Sequence, residues 1–491
     1  MDHHDLISPF DSEYFKVAMN SLTDLHKKNI LVVGFGKTGK AIARFLLDRG
    51  AVVTVNDSKT NTALSADIAP FKKEGATFVL GGHPSEIFLY PDFIVLSPGV
   101  DSNLPPLRQA RAKGIPLVSE VELASWFIKT PVIGITGTNG KTTTTTLISE
   151  ILRNAGFSVF TGGNIGNPLI NFVQNKIKAD FLVVELSSFQ LEAIETFCSH
   201  IAILLNITED HLDRYPTFAA YCEAKYRIFL NQTKENFAVV NYDDEACRAI
   251  IPSLAARLLP FSQKKVLIEG MYSNGKFLYF RATDESVHPY RLAKVKLLGV
   301  HNQQNMLAAI GAAEACGCSP DKTQEALENF QGLHHRIEFV REISGISFYN
   351  DSKATNIDAL LKSLQSFPKN IVLIAGGREK GGDYRVLTEE IRKKVKCLIA
   401  IGEAREKFCK LFGSVTITEC AVTLEEAVQT AFQNAAQGDI VLLAPACSSF
   451  DMFANYEERG QNFIDAVNRL AHNQHDHQHD DNHGCAQWIK E

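Results

Sequence analysis

Three observations predict an α/β chain of three domains. Short β-branched runs alternate with helical patterns along most of the sequence, as in parallel sheets flanked by helices. The alternation restarts twice, near Thr130-Pro131 and after GLHHRIEFV. Two strand ends run into glycine turns that open helices, GFGKTG and GTNGKT. The 491 residues leave room for about two to four domains.

In chain order, NILVVGFG is a buried strand followed by a helix through Leu47. AVVTVND and PDFIVLSPGV are later strands of the same block. The second block opens with the strand VIGIT and contains ADFLVVELSS and IAILLNIT. EGMYSNGKFLYFRA is expected to form a hairpin turning at Asn274-Gly275. In the third block NIVLIAGG, CLIAIG and DIVLLAPA are strands of another sheet. Boundaries near 130 and 333 give domains over 1–130, 131–332 and 333–470. Residues 471–491 are His- and Asp-rich with almost no apolar content, and disorder is expected there. A solvated tail is the plain reading of its histidines, metal binding the alternative.

The net charge of −6 gives no case for nucleic-acid binding. No apolar run is long enough to span a bilayer. The start, MDHHDLISPFDSEYF, lacks the basic and apolar regions of a secretory signal, so a cytoplasmic protein is expected. The ten cysteines are expected to be reduced thiols packed as small apolar groups. Cys316 and Cys318 are close, but no second pair completes a zinc pattern.

VIGITGTNGKTTTTTL carries the GKT ending of a phosphate loop but misses its usual spacing. In G-x-x-x-x-G-K-[ST] the first glycine would fall at Ile135. A helix is predicted from Lys141 to a cap at Gly156, burying Leu147, Ile148, Ile151 and Leu152. Threonines are poor helix formers, so the run Thr142–Thr146 fits a helix start whose hydroxyls and free N–H groups face a ligand. Gly137 and Gly140 let backbone approach phosphate, Lys141 adds a point charge, and Thr142 can reach a phosphate-bound magnesium ion. The competing reading is a tight turn whose glycines serve packing alone. Glu185 ends FLVVE at the carboxyl edge of a sheet, where ligands bind, and a metal would explain its burial. A solvated strand-end glutamate would be common too. His211, taken alone, would be structural or solvated rather than a ligand, and Lys225, in the amphipathic helix FAAYCEAKYRIFL, just another helix lysine.

GFGKTG, with Asp57 at the end of the second strand, matches a dinucleotide fingerprint. A nicotinamide dehydrogenase is therefore the rival reading. The physical content of the motif is only a helix start that can accept a diphosphate, and a UDP-sugar carries one as well.

Ten segments in order, GTNGKTT, GGNIG, ELSSFQLE, NITEDHLDRY, AKYRIF, GVHNQQN, HHRIE, YNDSKATN, AGGREKGGD and APACSSFDMFANYEERG, resemble the Mur ligase family. The likeness covers roughly residues 29–470 and is greatest to the D-glutamate-adding branch. It implies Rossmann-like outer domains around a P-loop ATPase-like, mononucleotide-binding central domain. The family's shorter loop, G-x-x-G-K-[ST], fits Gly137 to Thr142 and accounts for Ile135.

The resemblance implies ATP-dependent joining of D-glutamate to UDP-N-acetylmuramoyl-L-alanine in peptidoglycan precursor synthesis. Lys141, Glu185, His211 and Lys225 would be catalytic. ATP would meet Gly137, Thr138, Asn139, Gly140, Lys141, Thr142 and Thr143, with Asn302, Arg336 and Asp351. Two magnesium ions, which manganese could replace, would be held by Thr142 and Glu185 and by His211 with a carbamylated Lys225. The UDP-substrate would meet Gly36, Lys37, Thr38, Gly39, Asp57, Ser58, Ser97, Pro98, Gly99, Asn164 and Ser187. D-glutamate would meet Thr355, Lys380, Ser449 and Tyr456, the last where the family often has Phe. The signature DNPR of other branches is absent. The implied partners are small molecules, with no nucleic acid and no membrane insertion, and a monomer is expected. A Mur-like ligase with another acceptor and a nucleotide-binding regulator without turnover are the remaining readings.

Overall fold

The computed structural model describes residues 23–480 apart from 212, 213, 296, 298 and 380, so Lys380 lies outside the described residues. The chain separates into two compact units. One holds residues up to 293 with 304–327; the other holds 294–303 and residues from 328 onward.

The first unit contains two sheets. Thr77–Leu80, Val52–Asp57, Asn29–Val33, Phe93–Leu96 and Leu117–Ser119 lie side by side in that order, all parallel. In the nine-stranded sheet, Val132–Thr136 runs parallel between Phe181–Glu185 and Ile201–Leu204. All five of its residues are buried, as a β-branched run covered on both faces should be. The hairpin forms as expected, with Gly275 at φ 86° between Gly270–Ser273 and Phe277–Arg281. A third antiparallel strand, Val287–Arg291, extends it.

The first two blocks share one apolar core, in which Phe45 and Val55 of the first join Leu182 and Leu204 of the second. Two buried carboxylates sit where they meet. Glu122 is fully satisfied: it accepts the N–H groups of Glu195, Thr196 and Phe197 and the Trp126 indole N–H. Glu120 accepts the Ile170 N–H at 2.6 Å, while its second oxygen is buried without a partner. Burial pushes the Glu120 carboxyl up to about 7. With the folded value raised, its contribution to stability is complete below the unfolded value of 4.5 and is lost as pH rises through about 7. Glu120→Gln is therefore expected to match the parent in denaturation at about pH 4 and to exceed it at about pH 8, by on the order of 3 kcal/mol. A parallel pH dependence of the two proteins would contradict this.

The second unit is built on a six-stranded sheet ordered Glu338–Ile343, Ile346–Asn350, Ile440–Leu443, Ile371–Gly376, Val395–Ile401 and Ile417–Cys420. Only the first pair is antiparallel. Alternation along Ile371–Gly376 sends Val372 and Ile374 into a core with Phe463, and Leu373 and Ala375 into another with Phe408.

Two expectations meet a different structure. The last helix runs Tyr456–Asp480, past the boundary at 470, so the first part of the supposed tail is helical; residues 481–491 lie outside the described ones. Nothing between Gly460 and Asp480 is a glycine or proline, so the sequence holds no stop signal there. Cys409 and Cys420 are not separate thiols: their sulfurs meet as a pair between helix Arg405–Phe412 and the edge strand.

Candidate active site

Strand Val132–Thr136 feeds a four-residue loop, and helix Lys141–Asn154 begins at once. Gly140 caps that helix at φ 88°, and a Cβ there would lie 2.3 Å from Asn305 Oδ1, so both conformation and space require glycine. The loop is pinned to the segment after Ile201–Leu204. Thr138 N–H donates to the Asn206 carbonyl at 2.9 Å, Asn139 N–H to Asn206 Oδ1 at 2.9 Å, and the Thr138 hydroxyl to the Thr208 carbonyl at 3.2 Å. Lys141 folds over the loop, donating to the carbonyls of Gly137 at 2.8 Å and Thr138 at 2.9 Å. A helix start with a lysine over it is an anion cradle.

The threonine run serves two purposes rather than one. Thr143, Thr144 and Thr145 are buried, and the Thr146 hydroxyl donates back to the Thr142 carbonyl at 2.9 Å. Not every hydroxyl of the run is therefore presented to a ligand.

Lys225 is 1% exposed, and its Nζ donates at 3.0 Å to the Gly137 carbonyl, the same oxygen that receives Lys141. Burial, and then repulsion from the Lys141 ammonium, hold it well below the usual lysine range, with Asp210 opposing. A lysine kept neutral in this way is a nucleophile. Its Nζ lies 4.6 Å from the Tyr221 ring centroid, and the His211 ring packs against the same tyrosine at 6.3 Å. His211 itself has a left-handed backbone, φ 55°, and a half-exposed side chain against Phe189.

Glu185 ends strand Phe181–Glu185 and is buried. One carboxylate oxygen accepts from Asn164 Nδ2 at 2.9 Å; the other is buried with no partner. A bound cation would satisfy that oxygen. Among the described residues no three His, Cys, Asp or Glu side chains form a ready cage. The donor set therefore suits an ion that shares its shell with phosphate oxygens and water, as magnesium does.

The first sheet supplies a cavity of about 490 Å³, within the range of small-molecule sites. Gly36, Lys37, Thr38, Asp57, Ser58, Ser97, Pro98 and Gly99 line it, and Asn164 reaches it from the central block. Gly39 and Ser187 do not line it. A Cβ on Gly39 would strike the Gly34 carbonyl at 1.9 Å, so that glycine serves the turn. Ser187 is committed to a capping box with Gln190 at the start of helix Ser188–Leu191. Asp57 is partly committed as well, accepting the N–H groups of Phe35 at 2.6 Å and Lys59 at 2.8 Å.

His83 lines the cavity too and was not singled out in the sequence. Asn56 donates its amide to the carbonyls of Val79 and Gly82, both at 2.8 Å, which leaves its oxygen to face His83 Nδ1 at 2.5 Å. The Asn56 oxygen can only accept, so His83 Nδ1 is the donor of that pair. The GGHP turn at a strand end was the available signal.

In the second unit, Asp351 and Ser449 are buried, Thr355 is half-buried, and Tyr456 starts the last helix. Burial raises the Asp351 carboxyl to about 6 against the opposing Ser363 hydroxyl and Arg336 charge. Lys353 Nζ lies 3.6 Å from the Tyr456 ring centroid. Asn302 is buried in helix Val300–Ala315. Arg459, also missed in the sequence, is almost completely buried beneath these residues.

Comparison with known proteins decides the family. The family model "Mur ligase MurD-like, N-terminal domain" matches residues 28–119, "Mur ligase middle domain" 135–313, and "Mur ligase, glutamate ligase domain" 335–447. The chain belongs to the Mur ligase family. A UDP-N-acetylmuramoylalanine–D-glutamate ligase of Geotalea daltonii is 48% identical over 448 residues, covering 91% of this chain and 99% of that protein. A protein of the same name from Citrifermentans bemidjiense is 49% identical over 444 residues, covering 90% and 98%. Among solved Mur ligases, MurF of Thermotoga maritima in complex with ADP has a TM-score of 0.58 at 17% identity, covering 91% of this chain and 97% of that one. A pseudomurein peptide ligase type C from Methanothermus fervidus has a TM-score of 0.57 at 21% identity, covering 90% and 100%. At these identities the structural likeness is one of fold.

Proposed function

We propose that this Mur ligase adds D-glutamate to UDP-N-acetylmuramoyl-L-alanine at the expense of ATP, giving UDP-N-acetylmuramoyl-L-alanyl-D-glutamate, ADP and phosphate for peptidoglycan synthesis. The amino acid and acceptor are those in the names of relatives about half identical over nine-tenths of the chain. The observation that carries the reaction is Asn164. It lines the cavity of the first sheet and holds Glu185 at 2.9 Å beside the phosphate loop. A substrate anchored by its diphosphate in that cavity can extend its free carboxylate toward the nucleotide.

The carboxylate attacks the γ-phosphorus of ATP; an O–P bond forms, the bond to the bridging oxygen breaks, and ADP leaves. Lys141 and the N–H groups of the loop and helix start take up the charge on the transferring phosphoryl group. Magnesium would be held by Thr142 and Glu185, and by His211 with Lys225, where it neutralises phosphate charge. For Lys225 to serve, its neutral amine adds carbon dioxide, forming a C–N bond and releasing one proton, so that a cation becomes an anionic ligand. The acyl phosphate is then attacked by the deprotonated amine of D-glutamate, held by Thr355, Lys380, Ser449 and Tyr456; the amide forms and phosphate leaves. Asn302, Arg336 and Asp351 serve the nucleotide. The enzyme acts on small molecules as a cytoplasmic monomer. Among the described residues no helix is long and apolar enough to cross a membrane.

Incubation with ATP, the UDP-substrate and labelled D-glutamate tests this reading: label should enter a UDP-peptide with one phosphate released per amide. ATP-independent incorporation would overturn it. Ser449→Ala, which removes a hydroxyl assigned to the D-glutamate carboxylate, should raise the KM for D-glutamate about tenfold with little change in that for ATP. The opposite ranking would remove Ser449 from the amino-acid site.

A further inference from the structure

Arg459 stands on the last helix, three residues after Tyr456, and is 1% exposed. Its Nε donates to the Ser352 hydroxyl at 3.0 Å, and Nη2 donates to the carbonyls of Ser352 at 2.9 Å and Cys447 at 3.2 Å. Nη1 donates to the Ser448 carbonyl at 3.3 Å. Ser352 follows strand Ile346–Asn350, and Cys447 and Ser448 follow Ile440–Leu443. A third strand end closes over the same group. Gly377, after Ile371–Gly376, has φ 132°, and a Cβ there would lie 2.3 Å from the Ser448 carbonyl and 3.2 Å from Arg459 Nη1. Arg378 and Ser448 then exchange backbone hydrogen bonds at 2.9 and 3.0 Å.

One guanidinium thus ties together two loops at the carboxyl edge of this sheet, the edge where open α/β sheets bind ligands, and the third loop is joined to them through the Arg378–Ser448 backbone bonds. Every recorded partner is a neutral oxygen. Among the described residues no carboxylate forms an ion pair with it within 4.0 Å, and Asp451 acts only from farther away. Burial lowers its pKa to about 10, which leaves it charged at neutral pH. A buried cation held only by carbonyls and a hydroxyl is costly, and an incoming anion would compensate it.

We infer that Arg459 is a positioning residue of the amino-acid site: its fork sets the Ser352 and Cys447–Ser448 loops in register, and its charge, which no carboxylate among the described residues pairs within 4.0 Å, favours a dicarboxylic amino acid. The inference rests on the assignment of the D-glutamate site made above. Ser352 relays the effect, because its hydroxyl accepts from Arg459 and donates to the Tyr456 carbonyl at 2.9 Å. Ser449 is bonded to the tied segment through the chain itself. Lysine would keep the charge but not the planar fork that serves four acceptors.

The test uses the full-length enzyme with Arg459→Lys, Arg459→Met and Ser352→Ala. The KM values of D-glutamate, ATP and the UDP-substrate are measured. Acyl phosphate formed without D-glutamate is trapped by borohydride reduction. Arg459→Lys should raise the KM for D-glutamate about tenfold, and Arg459→Met further, with acyl-phosphate formation and the other two KM values within about twofold of the parent. Ser352→Ala should show a smaller rise in the same constant. A merely structural role would lower acyl-phosphate formation and all three affinities together, and that result overturns the inference. An unchanged KM for D-glutamate overturns it too. If Arg459→Met is insoluble, Arg459→Lys and Ser352→Ala decide on the same criteria. Ser449→Ala run alongside separates the two assignments. If it raises the KM for D-glutamate and Arg459→Lys does not, only Arg459 loses its role; if Ser449→Ala has no effect, both fall.

Discussion

Lys225→Ala is expected to lower ligation by about a thousandfold, the scale on which a preorganised charge at a transferring phosphoryl group acts. The reason lies in one carbonyl. Gly137 receives both Lys141 and Lys225, and two ammonium groups on one oxygen cannot both be comfortable. Lys225, the more deeply buried, is the one pushed toward its neutral form. A neutral amine can add carbon dioxide, and the resulting anion removes the repulsion. Short carboxylates should therefore restore part of the activity of Lys225→Ala. Enzyme depleted of carbon dioxide should lose activity and regain it with bicarbonate. Because the folded pKa is lowered, the neutral amine persists to lower pH than in a free lysine, and activity should fall as pH drops through that depressed value. Initial rates with and without bicarbonate decide the matter. Activity in Lys225→Ala equal to the parent's would end the carbamate account.

Glu185→Gln should cost about 10²- to 10³-fold in kcat. Glutamine can still accept from Asn164, so the cavity side of the contact survives while the charge is removed. The unpartnered oxygen of Glu185 then has no anionic replacement. The magnesium concentration needed for half-maximal rate should rise, while the KM for the UDP-substrate stays within about twofold. Rates measured across a magnesium series check this. A variant with the parent's magnesium dependence would place Glu185 outside the metal shell.

What could be read in the sequence was local or terminal to an element. The phosphate loop was legible because glycine spacing, a lysine and a helix start lie within a few residues, and Glu185 because it ends a strand of apolar residues. The hairpin was legible from Asn274-Gly275 alone. Arg459 was not, because YEERGQNF resembles an exposed helix start, and the groups that hold it come from two loops distant in sequence. His83 was hidden for a related reason: its role depends on Asn56, which is fixed by two backbone carbonyls. Ser187 and Asp57 show the converse. Both were matched by motif, yet their side chains are engaged in a helix cap and a turn. A motif marks a position, and the hydrogen bonds around it determine how much of the side chain is left for a ligand.

The central claim is the coupling of ATP cleavage to one amino acid on one acceptor. Phosphate release should be measured with ATP, magnesium and UDP-N-acetylmuramoyl-L-alanine against a panel of single amino acids. Sustained release is expected with D-glutamate, and background rates with L-glutamate, L-lysine, diaminopimelate and glycine. Sustained release with one of those others, and none with D-glutamate, would contradict it.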